Sequence, residues 1–199
     1  MSIALAPGFT EPVFDAQRVF RAVMEATARP ATVQPLATDL APPAPLTPEL
    51  AAVALALADH EAPLWLDAAL AAVPAVAAYL RFHTGARVVE TPDEAAFALV
   101  AEPGAMPPLG AFAVGTDEYP DRSTTVVMAV RTLAAGQGLA CEGPGILDRA
   151  DIAIAPLPGD FLAQRAANRA LFPRGIDCLF VAPGSVAALP RTTQILPEG

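Results

Sequence analysis

Lysine is absent from the chain, and all 12 basic residues are arginine. Chemistry built on a lysine amine is therefore closed to it, including the Schiff base of pyridoxal phosphate and the lysine of a phosphate-binding P-loop. Cysteine is nearly as scarce, with only Cys141 and Cys178. Two thiols cannot ligate an iron–sulfur cluster, and they make no secreted disulfide framework. The histidines are His60 and His83, with no H-x-x-x-H or C-x-x-C spacing to suggest a metal site. Ser2, Ser123 and Ser185 are the serines, and none occupies a G-x-S-x-G elbow.

Positive charge is also in deficit. The formal net charge is −9, which argues against a nucleic acid or an anionic membrane surface, since both are met by clustered cations. A small anion is not excluded, because a few arginines act locally within a Debye length of ~8 Å. Long hydrophobic runs are missing too: the most apolar tract, residues 68–80, is alanine-rich and broken by Pro74. A spanning helix takes ~20 apolar residues. With no basic-then-apolar leader at the N-terminus, the expectation is a soluble, cytoplasmic protein. The 199 residues suit one domain, 1–199, able to bury a core without staples.

Local patterns give the elements. Residues 1–13 read as an irregular lead. Asp15 is the expected cap of a helix in which Val19, Phe20, Val23 and Met24 recur, ended by Arg29-Pro30. Residues 32–36 read as an edge strand because of Pro35. A proline-rich connector follows, and Thr47-Pro48-Glu49 opens a helix over 49–58. Leu64-Trp65-Leu66 is a buried strand, and Pro74 begins a helix that reaches Arg81-Phe82-His83. Strands are expected over 86–90 and 95–100 around a Thr91-Pro92-Asp93-Glu94 turn. A short helix is expected at 106–112, and a central strand at 124–130. Further strands are expected at 138–142, 151–155 and 177–181, with a helix over 160–171. Alternating elements of this kind predict a layered α/β domain with a mixed sheet.

Catalytic signals are weak throughout. Gly143-Pro144-Gly145-Ile146 follows a strand, but its spacing fits neither phosphate-binding glycine motif, so it reads as a tight turn. Gly136-Gln137-Gly138 reads as a hairpin turn. Cys178 is expected to be buried, and Cys141 to be exposed before a turn. Arg174 in Phe172-Pro173-Arg174-Gly175-Ile176-Asp177 and Arg191 in Pro190-Arg191-Thr192-Thr193 stand beside turns. Each could clamp an anion or a partner's carboxylate, or pair with an aspartate of its own fold.

Taken in order, the odd segments resemble one family. They are Pro12-Val13-Phe14-Asp15-Ala16-Gln17, Leu64-Trp65-Leu66, Leu80-Arg81-Phe82-His83-Thr84, Gly143-Pro144-Gly145-Ile146, Phe172-Pro173-Arg174-Gly175-Ile176-Asp177 and Leu189-Pro190-Arg191-Thr192-Thr193. This set is similar to the H subunits of carbon–phosphorus lyase, the PhnH family, over nearly the whole chain. The resemblance implies a three-layer α/β/α domain with a mixed sheet, like the large domain of pyridoxal-phosphate-dependent aminotransferases but without their cofactor site. It also implies a non-catalytic subunit that assembles with G, I and J subunits and pairs with itself when isolated. That complex converts ATP and an alkylphosphonate to ribose 1-alkylphosphonate 5-triphosphate and adenine. The resemblance supplies no catalytic residues and no cofactor. Arg81, His83, Arg174 and Arg191 are candidates for ligand or interface contacts. Two other readings stay open: a stand-alone enzyme clamping a small phosphorylated or phosphonylated ligand, and a regulatory nucleotide binder.

Overall fold

Proline opens three of the helices, and a short polar side chain caps two, with both signals coinciding only at Thr47-Pro48. In the computed structural model, which describes residues 5–196, α1 (Pro12–Ala28) starts at Pro12 and not at Asp15. Asp15 lies buried in the first turn, accepts from the Glu11 backbone N–H at 2.9 Å and pairs with Arg18. It thus satisfies an N-terminal donor from inside the helix. β1 (Gln34–Pro35) precedes α2 (Pro48–Leu57), where the Thr47 hydroxyl accepts from Leu50 N at 3.2 Å. β2 (Leu64–Leu66) leads to α3 (Ala68–Ala71) and α4 (Pro74–Thr84). Then come β3 (Val88–Val89), β4 (Phe97–Val100), β5 (Thr125–Ala129), β6 (Thr132–Glu142) and β7 (Ala150–Ala155). Last are α5 (Phe161–Arg169), β8 (Asp177–Ala182), β9 (Ser185–Leu189) and β10 (Gln194–Ile195). Where a helix was expected at 106–112 there are two short 3₁₀ turns, Pro103–Ala105 and Leu109–Ala111.

Among the described residues, seven strands form the main sheet in the order β1-β9-β8-β5-β4-β2-β3. β3, β2, β4, β5 and β8 run parallel, while β9 and β1 are antiparallel additions, so the sheet is mixed. β5 is central, as its apolar, β-branched run implies. β1 is at an edge, where Pro35 removes no ladder bond. β3 and β4 do not pair with each other: β2 lies between them, pairing with both.

Alternation along the strands sorts side chains to two buried faces. On β4, β5 and β8, Leu99, Val127, Leu179 and Val181 join α1, α2 and α4 in one core. Ala98, Val126, Met128, Cys178 and Phe180 face a second core. That second face is not covered by helix alone. α5 shares it with a three-stranded antiparallel sheet, β10-β6-β7, which contributes Cys141, Ile152 and Ile154. Cys141 is therefore fully buried and not exposed.

Gly136-Gln137-Gly138 is not a turn either. It lies inside β6, where the register with β7 breaks between Ala135 and Leu139. A Cβ on Gly138 (φ +93°) would stand 2.7 Å from the Ile152 carbonyl oxygen, so the strand closes on its neighbour only through glycine. The tight turn is at Gly143-Pro144-Gly145-Ile146, in the β6–β7 connection.

Candidate functional site

In open parallel sheets, ligands sit outside the carboxyl ends of the strands, where successive connections diverge to opposite sides. Here β2 is flanked by β3 and β4, and the chain leaves β2 through Asp67. The crevice is filled by that residue. Asp67 is 4% exposed; its Oδ1 caps α3 at Leu70 N (3.0 Å), and its Oδ2 accepts from Ala101 N (2.8 Å) and Glu102 N (2.9 Å) just beyond β4. The backbone donors that would cradle an anion are taken by the chain's own carboxylate. A cavity of about 510 Å³ opens at the ends of β4, β5 and β8, lined in part by Thr47, Glu49, Ala101, Arg131 and Pro183. Its helix start is also occupied: Thr47 caps α2, and the Glu49 carboxylate accepts from Gly184 N at 3.0 Å.

The four candidate residues fall into two places. Arg81 and His83 are on α4. Arg81 is exposed, whereas the His83 ring lies against Tyr79 and Phe82, with Nε2 3.0 Å from the Ala6 carbonyl oxygen. Tyr79 donates its hydroxyl to Pro7 O at 3.2 Å, so the two rings together seat the N-terminal segment. Arg174 and Arg191 are brought near each other, with Arg191 reaching the residue before Arg174. Arg174 makes a surface ion pair with Asp117 at 3.0 Å. Arg191 forks onto Asp177 and donates to Pro120 O (2.6 Å), Ser123 Oγ (2.6 Å) and Pro173 O (3.4 Å). Its own N–H also bonds Asp177 Oδ1 at 2.7 Å. Of the two roles open to it, Arg191 fills the internal one, closing the segments before β5 and β8 onto the end of β9.

A polar spine on α5 is invisible in the hydrophobic pattern. Arg165 is 3% exposed and donates to the carbonyls of Ile176 (3.3 Å), Pro190 (2.6 Å) and Thr193 (3.3 Å). Asn168 clasps Ile176 in both directions, Nδ2 to O at 2.9 Å and N to Oδ1 at 2.7 Å. Arg169 reaches Thr192 O at 2.7 Å. The spacing of Arg165, Asn168 and Arg169 along one helix was the available signal, but a helix face buried through polar residues breaks the rule that finds buried faces.

Nucleophiles are poorly served. Burial pushes the Cys141 thiol up to about 11, with Arg165 pulling it down and Asp151 pushing it up. Burial likewise raises Cys178, against the pull of Arg165 and with a smaller push from Asp177. Neutral buried thiols of this kind are inert. Among the described residues, no three His, Cys, Asp or Glu side chains converge as a metal site would require. No helix there is long and apolar enough to cross a membrane.

The fold and its polar contacts define a layered α/β protein in which, among the described residues, Asp67, Arg165, Asn168 and Arg191 hold the chain's own backbone. Residues 7–196 match the profile of the bacterial phosphonate metabolism protein (PhnH), and the chain belongs to that family. It is 50% identical over 187 residues to the alpha-D-ribose 1-methylphosphonate 5-triphosphate synthase subunit PhnH of Rhizobium meliloti (strain 1021), covering 94% of this chain and 93% of that one. It is also 36% identical over 86 residues to HtxG of Stutzerimonas stutzeri, provisionally described as a C-P lyase subunit, covering 43% of this chain and 44% of that protein.

Proposed function

We propose that this chain is a non-catalytic subunit of the carbon–phosphorus lyase core complex. In that role it supports the step that joins an alkylphosphonate to the ribose of ATP with loss of adenine. The observation that carries this reading is Asp67, which occupies the position where an α/β sheet would hold a ligand. The near-full-length similarity to a synthase subunit supports the same assignment. Its partners on this reading are the G, I and J subunits, it pairs with itself when isolated, and it works in the cytoplasm.

On the same reading, the fold is taken as a relative of the large domain of pyridoxal-phosphate-dependent aminotransferases, a kinship supported by the mixed α/β sheet. The residues do not fit the cofactor, because the chain has no lysine to form its Schiff base. Arg81, exposed at the end of α4, is a candidate interface contact. Co-expression with the G, I and J subunits, followed by size exclusion and mass analysis, tests the assignment. A stoichiometric share of this chain in the assembled particle is expected. A free chain beside an assembled remainder would overturn it.

A further inference from the structure

β10 lies at one end of the three-stranded sheet, with β6 as its neighbour on one side only. Its register sets Gln194 against Glu142 and Ile195 against Cys141, and Leu196 N donates to Ala140 O at 2.8 Å. Main-chain groups alternate in direction along an antiparallel ladder. Leu196 N–H points at β6, so the N–H and C=O of Ile195 point away from it. Thr193 O, on the same outer side, accepts from Arg165 at 3.3 Å. Among the described residues, neither outward group of Ile195 meets another main-chain group outside the strands. α5 runs beside this edge across a groove of about 680 Å³, lined by Leu162, Ala166 and Arg169 on one side and by Gln194, Ile195 and Leu196 on the other. Arg169 is exposed and donates to Thr192 O at 2.7 Å; among the described residues, it pairs with no carboxylate. A second cavity shares Ala166 and Arg169 and carries the groove on to Phe172, which is 62% exposed.

We propose that this groove takes an extended, acidic peptide segment of a partner subunit, added to β10 as a further strand. An open strand edge selects an extended main chain, because only that conformation returns both hydrogen bonds to one edge residue. With Ile195 alone offering outward groups, those bonds set the register, and the walls supply the rest of the affinity. Alternate side chains of an extended segment point the same way, which suits the apolar wall of Leu162, Ala166 and Leu196. The charge of the segment follows from Arg169, an exposed cation whose fork is open to a carboxylate. That the segment belongs to a subunit of the same complex rests on the function proposed above. The edge, the groove and its charge do not.

Hydrogen exchange of the full-length chain, free and assembled with the G, I and J subunits, tests this. The Ile195 amide should exchange readily in the free chain and slow by about tenfold or more on assembly. Ile195→Pro removes the outward donor without breaking a bond to β6, and Ala166→Phe fills the groove from an exposed helix position. Both variants should bind the partner subunits about tenfold more weakly. Arg169→Gln should cost about threefold and flatten the salt dependence of binding. An Ile195 amide that exchanges as fast in the complex as in the free chain overturns the proposal, as does native binding by both groove variants. Protection that grows with the concentration of the free chain also overturns it, by seating a second copy in the groove. If the chain does not assemble at all, the subunit reading fails, and the groove is read by titration with two acetylated peptides of alternating threonine and valine. Tighter binding of the peptide that ends in aspartate than of the one that ends in arginine upholds the site, and equal binding or none sinks it.

Discussion

At the scale of single residues, polar side chains here act mainly as internal ties. Asp67, Asn168 and Arg191 each close backbone groups from separate segments, the arrangement that keeps buried amides and carbonyls satisfied. The cysteines show the same inward orientation of chemistry. Since burial lifts the Cys141 thiol from 9.0 to about 11, the folded state holds a proton that the unfolded chain releases first. The sign follows: this contribution to stability is complete below about pH 9 and is lost as pH rises through about 11. Burial moves Cys178 the same way. Urea melts between pH 8 and pH 11 should therefore show falling stability at the alkaline end. Titration with a chromogenic thiol reagent at pH 8 should find no reactive thiol in the native protein and both after unfolding. A rapidly reacting native thiol would contradict the burial argument.

At the scale of elements, the β6–β7 connection shows how a weak motif can be structural. Gly145 has φ +84°, and a Cβ there would lie 2.3 Å from the Ala28 carbonyl oxygen and 2.8 Å from Pro30 Cδ. The turn is thus packed against the end of α1, which fixes the second layer to the first. Gly145→Ala meets both a left-handed backbone and a backbone clash, and should destabilise the fold by about 2 kcal/mol or more. A denaturant midpoint equal to that of the native chain would refute this contact. The segment was legible as a turn because glycine and proline mark turns locally, just as Thr47-Pro48-Glu49 marked the start of α2. Other features were hidden for physical reasons. Gly136-Gln137-Gly138 carries a turn's composition but serves a bulge set by the neighbouring strand. Residues 185–189 and 194–195 are strands that earn no periodic signal of their own, the second because it is only two residues long. α5 hides its inner face because Arg165 and Asn168 are buried there with Phe161. Arg191 was visible beside its turn, yet its choice between an outside anion and Asp177 depended on a contact 14 residues away.

At the scale of the whole molecule, the order of strands is non-local and could not be read from the chain: β3 and β4, successive in sequence, end on opposite sides of β2. An apolar surface, too, emerges only in the fold. α1 buries Val19, Val23 and Ala26 inward, yet Val13 (65% exposed), Phe20 (53%) and Met24 (47%) recur at helical spacing on its outward side. A helix apolar on two faces with only one of them covered is a mark of a partner. If the subunit reading holds, this stripe is where assembly is most sensitive. Phe20→Asp should leave the isolated fold within about 0.5 kcal/mol of native, as surface substitutions do, but should sharply lower recovery of the chain with the G, I and J subunits. Leu147→Asp is the control, because Leu147 is 90% exposed in the β6–β7 connection and is not a residue of α1. Loss of assembly in the Phe20 variant alone assigns α1 to the interface. Equal recovery of both variants would remove α1 from it, and loss in the Leu147 variant alone would move the interface to the layer of β6, β7 and α5.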